Sequence, residues 1–196
     1  MSDLLSKSEY LIRRQGLAIS GKYKVFEKEG KQALLFIEEK TKWFPPSTVI
    51  HFYTDEKKKQ EFITLKDRPQ GKTDEFDIFD AANGGKIGAF VVDVNNVSEI
   101  FKDVWVLLDE QDRPIGKVCE RKLLQSLART LITHAIPQNM EIMMGEIVVA
   151  ELHQTVKPAS YELVLDFNKD VSNLLDHRLG IAAGILVALH QGRETD

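Results

Sequence analysis

Apolar and polar positions alternate along most of this chain in paired runs, each pair split by a short turn. The stretches are 23–39 (YKVFEKEGKQALLFIEE), 76–93 (FDIFDAANGGKIGAFVVD), 105–120 (WVLLDEQDRPIGKVCE) and 140–154 (MEIMMGEIVVAELHQ). Each holds an aromatic or β-branched run, a turn with Gly, Asn, Asp or Pro, and a second apolar run, which predicts a β-hairpin. A fifth stretch, 48–67 (TVIHFYTDEKKKQEFITLKD), alternates on both sides of a charged tip. YLIRR (10–14) and SYELVLDFN (160–168) predict single strands at either end. The total is about twelve strands.

Two segments have helical spacing instead. In 121–133 (RKLLQSLARTLIT), Leu123, Leu124, Leu127, Ala128, Leu131 and Ile132 form one apolar stripe, with Arg121, Lys122, Gln125 and Arg129 off it and Pro137 as a stop. The second begins with Leu174, Leu175 and Leu179. Asp170 is its expected N-cap, and Gly192, with Arg193 beside it, its expected C-terminal stop.

The second helix carries the architecture. From Gly180 to Leu189 nothing is polar. A membrane-spanning helix needs about 20 apolar residues, because the hydrocarbon core is roughly 30 Å thick. This run is shorter, and Asp176, His177 and Arg178 stand directly before it. A helix too short to span, yet apolar on every side, must be enclosed by protein. About twelve strands can close into a barrel wide enough to hold more than side chains. Gly180, Ala182, Ala183, Gly184 and Ala188 keep the helix slim against the walls. The expected fold is mainly β, a closed antiparallel barrel of roughly twelve strands around a buried C-terminal helix. No transmembrane segment is expected.

Composition narrows the field. The 196 residues are 43% hydrophobic and 29% charged, as in an ordinary globular protein. The formal charge of -4 argues against nucleic acid as a partner. One cysteine, Cys119, excludes an internal disulfide and fits a reducing compartment. The opening MSDLLSKSEYLIRRQG has no apolar core of signal-peptide length, so the expected location is cytoplasmic. The most polar loop, 68–75 (RPQGKTDE), has similar hairpins on both sides and marks no domain boundary.

Several motifs also agree with a known family. YLIRR, HFYTDE, FDIFDAANGGKIGAF, WVLLDEQDRPIGKVCE, AIPQNMEI and LLDHRLGIAAGILVALHQGR occur in this order, from about Tyr10 to Arg193. In these the chain resembles the LURP-one-related proteins, which are grouped with the tubby C-terminal domain and the phospholipid scramblases. The resemblance implies a twelve-stranded barrel around a hydrophobic C-terminal helix, as one domain over 10–193 behind a tail of 1–9. It also implies a phosphoinositide or other anionic phospholipid headgroup, or a protein, as partner, since tubby domains bind phosphoinositides. Scramblase relatives carry an acidic calcium-associated segment before the last strand. The corresponding TVKPAS (155–160) has no acid, and the cysteine cluster common among them is missing, which counts against scramblase-like activity.

Catalytic chemistry finds little support. QGKT (70–73) lacks the first glycine of a phosphate loop, where Lys66 stands, and the glycines of NGGKIG (83–88) lie between strand runs and read as a turn. His51, His134, His153, His177 and His190 show no paired spacing. Asp166, Asn168 and Asp170 begin like a calcium loop, but Val171 stands at the required glycine and His177 at the late glutamate. Cys119 lies in a strand without a neighbouring His, and no GxSxG elbow is present. The expectation is a non-enzymatic binding or tethering domain with no metal and no cofactor, at most peripheral to a membrane. A carrier using the barrel lumen is disfavoured because the helix fills that space.

Basic groups remain. Lys57, Lys58 and Lys59 cluster at one hairpin tip, Arg121 and Lys122 open the first helix, and Arg13 and Arg14 lie in the first strand. A basic residue near an anionic surface contributes about 1 kcal/mol. Lys57, Lys58 and Lys59 are the candidate lipid- or anion-binding residues. The plain alternative is a solvated turn guarding a strand edge, which Asp55, Glu56 and Glu61 nearby favour.

Overall fold

The computed structural model describes residues 4–16, 21–43, 46–68, 75–92, 105–120, 139–157 and 160–194. Its strands are β1 (Glu9–Arg14), β2 (Lys22–Glu27), β3 (Ala33–Trp43), β4 (Pro46–Tyr53), β5 (Glu61–Asp67), β6 (Phe76–Asp80), β7 (Lys86–Val92), β8 (Trp105–Leu108), β9 (Pro114–Glu120), β10 (Asn139–Met144), β11 (Ile147–Lys157) and β12 (Ser160–Asp166). One described helix follows, α1 (His177–Glu194). Each strand pairs antiparallel with its neighbours in sequence, and β1 pairs with β12, which closes the barrel. The five expected hairpins and both single strands are present. The expected helix over 121–133 lies outside the described residues.

Alternation decides which way each strand faces. In β1, Tyr10 and Ile12 are fully buried, while Arg13 points outward opposite Glu162 on β12. Ile50 and Phe52 on β4, and Leu163 and Leu165 on β12, fill the lumen in the same way. Against them lies α1, apolar on every side. Between Leu179 and Leu189 no side chain exceeds 6% exposure. Fully burying a residue such as Ile181 or Ile185 contributes about 1.5–3 kcal/mol. The barrel supplies the enclosure that a helix without a polar face requires.

Close approach explains the glycines of α1. A Cβ on Gly184 would stand 2.6 Å from Cδ1 of Ile12, and one on Gly180 would enter the ring of Phe167.

Both helix boundaries differ from expectation. Asp176, not Asp170, caps α1: its carboxylate accepts from Arg178 N at 2.8 Å, and its carbonyl from Leu179 N and Gly180 N. Asp170 is buried and closes the preceding turn, its two oxygens accepting from Leu174 N and Leu175 N. Asn173, with φ of 51°, reverses the chain there before the helix starts. At the other end the helix continues past Gly192 to Glu194.

Polar contacts fix the helix at both ends. At its start His177 stacks on Phe167 at 4.0 Å, with Tyr10 edge-on to Phe167 at 5.8 Å. Arg178 binds Asp176 and, across the barrel mouth, Asp80 on β6 at 2.5 Å. Those carboxylates, led by Asp176, raise its already high pKa. Near the other end Tyr23 donates to the Ala188 carbonyl at 3.0 Å, and Trp105 meets His190 edge-on at 5.7 Å.

Candidate anion-binding rim and groove

Strand direction sorts the connections between the two barrel mouths. The turns 28–32, 54–60, 81–85, 109–113 and 145–146 all lie at the mouth where α1 begins. The lysine tip belongs to this rim, in the turn between β4 and β5.

That turn is tightly built. The Asp55 carboxylate accepts from Lys59 N at 2.9 Å and Gln60 N at 2.7 Å, and the Asp55 carbonyl accepts from Lys58 N. Lys58 takes a left-handed conformation, φ 57°, and its ammonium reaches Oε1 of Glu38 on β3 at 2.7 Å. This contact holds the Glu38 carboxyl below its ordinary range. Lys57 and Lys59 are exposed and make no ion pair among the described residues. The structure thus separates the three lysines: one is tied to the wall and two face solvent.

Beside the turn lies a groove of about 510 Å³ whose lining includes Lys24, Phe26, Lys31, Phe36, Asp55 and Glu56. Outward positions on adjacent strands create it. Arg13 faces Lys24 in register, and Lys24 faces Phe36. Lys24 Nζ sits 5.0 Å from the centre of the Phe36 ring and 3.0 Å from Glu56 Oε1. Arg13 lies 5.1 Å from the centre of the Phe26 ring and 2.9 Å from the buried Glu162. Each cation gains attraction from the face of its ring. Lys31 is exposed at the groove edge and makes no ion pair among the described residues. An anion entering the groove would meet the ammonium groups of Lys24, over the Phe36 ring, and Lys31, would compete with Glu56 for Lys24, and would face the Asp55 carboxylate in the same lining.

The other sequence candidates are dispersed. Arg13 is on the outer wall, committed to Glu162. Arg121, Lys122 and His134 lie outside the described residues. His51 is paired with Glu61 at 2.5 Å, and His153 contacts Asn139 at 3.1 Å. Among the described residues no group of three or more His, Cys, Asp or Glu is placed to hold a metal ion. The calcium-like carboxylates serve the backbone, Asp166 accepting from Asn168 N and Asp170 from Leu174 N and Leu175 N. Gly84 and Gly85 form the β6–β7 turn, with Gly84 at φ 68° and Asn83 accepting from Gly85 N. Gly88 instead lies in β7, where an added Cβ would stand 2.7 Å from the Leu108 carbonyl oxygen. Cys119 Sγ lies 3.9 Å from Met143 Sδ.

Sequence reasoning missed the groove. Its one signal was the alternation in KYKVFE, which puts Lys24 and Phe26 on one face, but the opposing Phe36 depends on hairpin register.

No known family model matches the chain, and no curated protein matches it in sequence.

Proposed function

We propose that this chain is a non-enzymatic binding domain that recognises an anionic phospholipid headgroup, of the phosphoinositide type, at its turn-bearing rim. The observation that carries this reading is the groove of about 510 Å³ holding Lys24 and Lys31 beside Phe26 and Phe36, next to the solvent-facing Lys57 and Lys59. A lumen filled by α1 supports a binding site on the outside of the barrel. The resemblance to LURP-one-related and tubby-like proteins supports the same ligand class.

The test is co-sedimentation with vesicles of phosphatidylcholine containing a polyphosphoinositide, at two salt concentrations. Reversing Lys31, Lys57 and Lys59 to Glu removes about 1 kcal/mol or more per residue near the surface, so binding falls at least tenfold and loses salt sensitivity. Glu56→Gln frees Lys24 and tightens binding. Unchanged binding in the triple variant returns the tip to a solvated turn.

A further inference from the structure

The large hydrophobic residues exposed among the described ones are Ile147, Val171 and Leu174, at 56%, 88% and 45% exposure. Scattered singly, such residues need no explanation. Here all belong to one mouth of the barrel. Ile147 follows the β10–β11 turn, and Val171 and Leu174 lie in the segment joining β12 to α1. Strand order then gives the sequence of features around that rim. It runs from Ile147 to Val171 and Leu174, then across β1 to the 28–32 turn with Lys31, and on to the 54–60 turn with Lys57 and Lys59. Apolar tips and solvent-facing lysines thus share one continuous arc.

We propose that this arc is a bilayer-docking face, with Ile147, Val171 and Leu174 entering the lipid interface and the three lysines meeting its phosphates. The inference rests on the headgroup reading for its charged half only. Many carboxylates around the rim are already engaged. Asp55 caps its turn, Glu56 binds Lys24, and on the opposite arc Asp112 binds Lys86 and Asp109 binds Arg113. Glu29 and Glu146 stand exposed on the docking arc and limit its electrostatic attraction, so on this proposal the apolar tips supply much of the affinity. The apolar loop is also held in shape. Asp170 N bonds the Phe167 carbonyl, Asn173 N the Asp170 carbonyl, and the Asp170 carboxylate holds Leu174 N and Leu175 N. A loop ordered before contact loses little freedom on binding. Exposed apolar side chains beside basic ones are the composition of a surface that lies in the membrane interface without spanning it.

The test compares the wild-type chain with Ile147→Thr, Val171→Ser, Leu174→Gln combined, on the same polyphosphoinositide vesicles and on a soluble inositol polyphosphate. The expected result is a roughly tenfold loss of vesicle affinity with soluble-ligand affinity and thermal midpoint unchanged. In parallel, Val171→Trp shows an emission blue-shift with vesicles and none with the soluble ligand. Equal vesicle binding by the combined variant, with no blue-shift, overturns the docking face and leaves the headgroup reading intact. Loss of vesicle binding in that variant, with no soluble-ligand binding by either protein, supports the docking face and sinks the headgroup reading. Absence of vesicle binding by the wild type overturns both.

Discussion

Gly180 and Gly184 stand one helical turn apart, yet their surroundings differ in a way that substitutions can read. At Gly184 the obstacle is Cδ1 of Ile12, the tip of a flexible side chain. At Gly180 it is the ring of Phe167, which is stacked on His177. Alanine gains about 1 kcal/mol of helix propensity over glycine at either site. Gly184→Ala therefore stays within about 1 kcal/mol of wild type, whereas Gly180→Ala costs about 1–3 kcal/mol through overpacking. Denaturant titration of the two variants decides the order. His177 offers a second test at this scale. Burial lowers its imidazole pKa, against the opposing pull of Asp170, Asp176 and the Leu5 carbonyl. The unfolded chain then binds the proton more readily than the folded one, so His177 weakens the fold as pH falls below roughly 6.5. Thermal midpoints of wild type and His177→Phe, followed from neutral to mildly acidic pH, should show the steeper loss in wild type. Parallel curves would remove His177 from the pH response.

At the scale of elements, the two aspartates before α1 have separate duties. Asp176→Ala removes the cap and half of the Arg178 clamp, costing about 0.5–2 kcal/mol. Asp176→Asn retains a capping oxygen and is milder. Asp170→Ala removes the acceptor of two backbone N–H groups, that of Leu175 buried, and costs about 1–3 kcal/mol. Equal stability of Asp176→Ala and Asp176→Asn in denaturant would show that the ion pair, not the cap, carries the effect. These residues also show what the sequence could and could not disclose. Hairpins were legible because turn residues and alternation agree locally, as in DEQDRPIGKV and AANGGKIG. The helix start was not, because Asp170 and Asp176 are equally good caps, and Leu174 and Leu175 imitate the helical spacing while lying ahead of it, only Leu175 packed into the core. The groove was hidden for a different reason. Phe26 and Phe36 belong to strands whose register shifts between Val25 and Phe26, so their positions follow from the folded hairpin.

For the whole molecule the decisive relation is between a closed wall and the helix inside it. Twelve strands enclose more space than side chains from the wall alone fill, and α1 occupies it. That packing leaves the rim and outer wall, where Lys31, Lys57, Lys59 and the neighbouring groove lie, as the surface on which the proposed headgroup contact is made. Ala183→Asp tests the enclosure severely, because an unpaired charge at this buried position prevents folding. The most direct measurement is thermal unfolding of Gly184→Leu beside wild type. With Ile12 already 2.6 Å from the added Cβ, and Leu152 and Leu165 beyond it, the larger side chain has no room. Overpacking of about 1–3 kcal/mol lowers the midpoint by roughly 2–12 °C in a chain of this size. A midpoint equal to or above wild type would mean that the barrel does not enclose the helix.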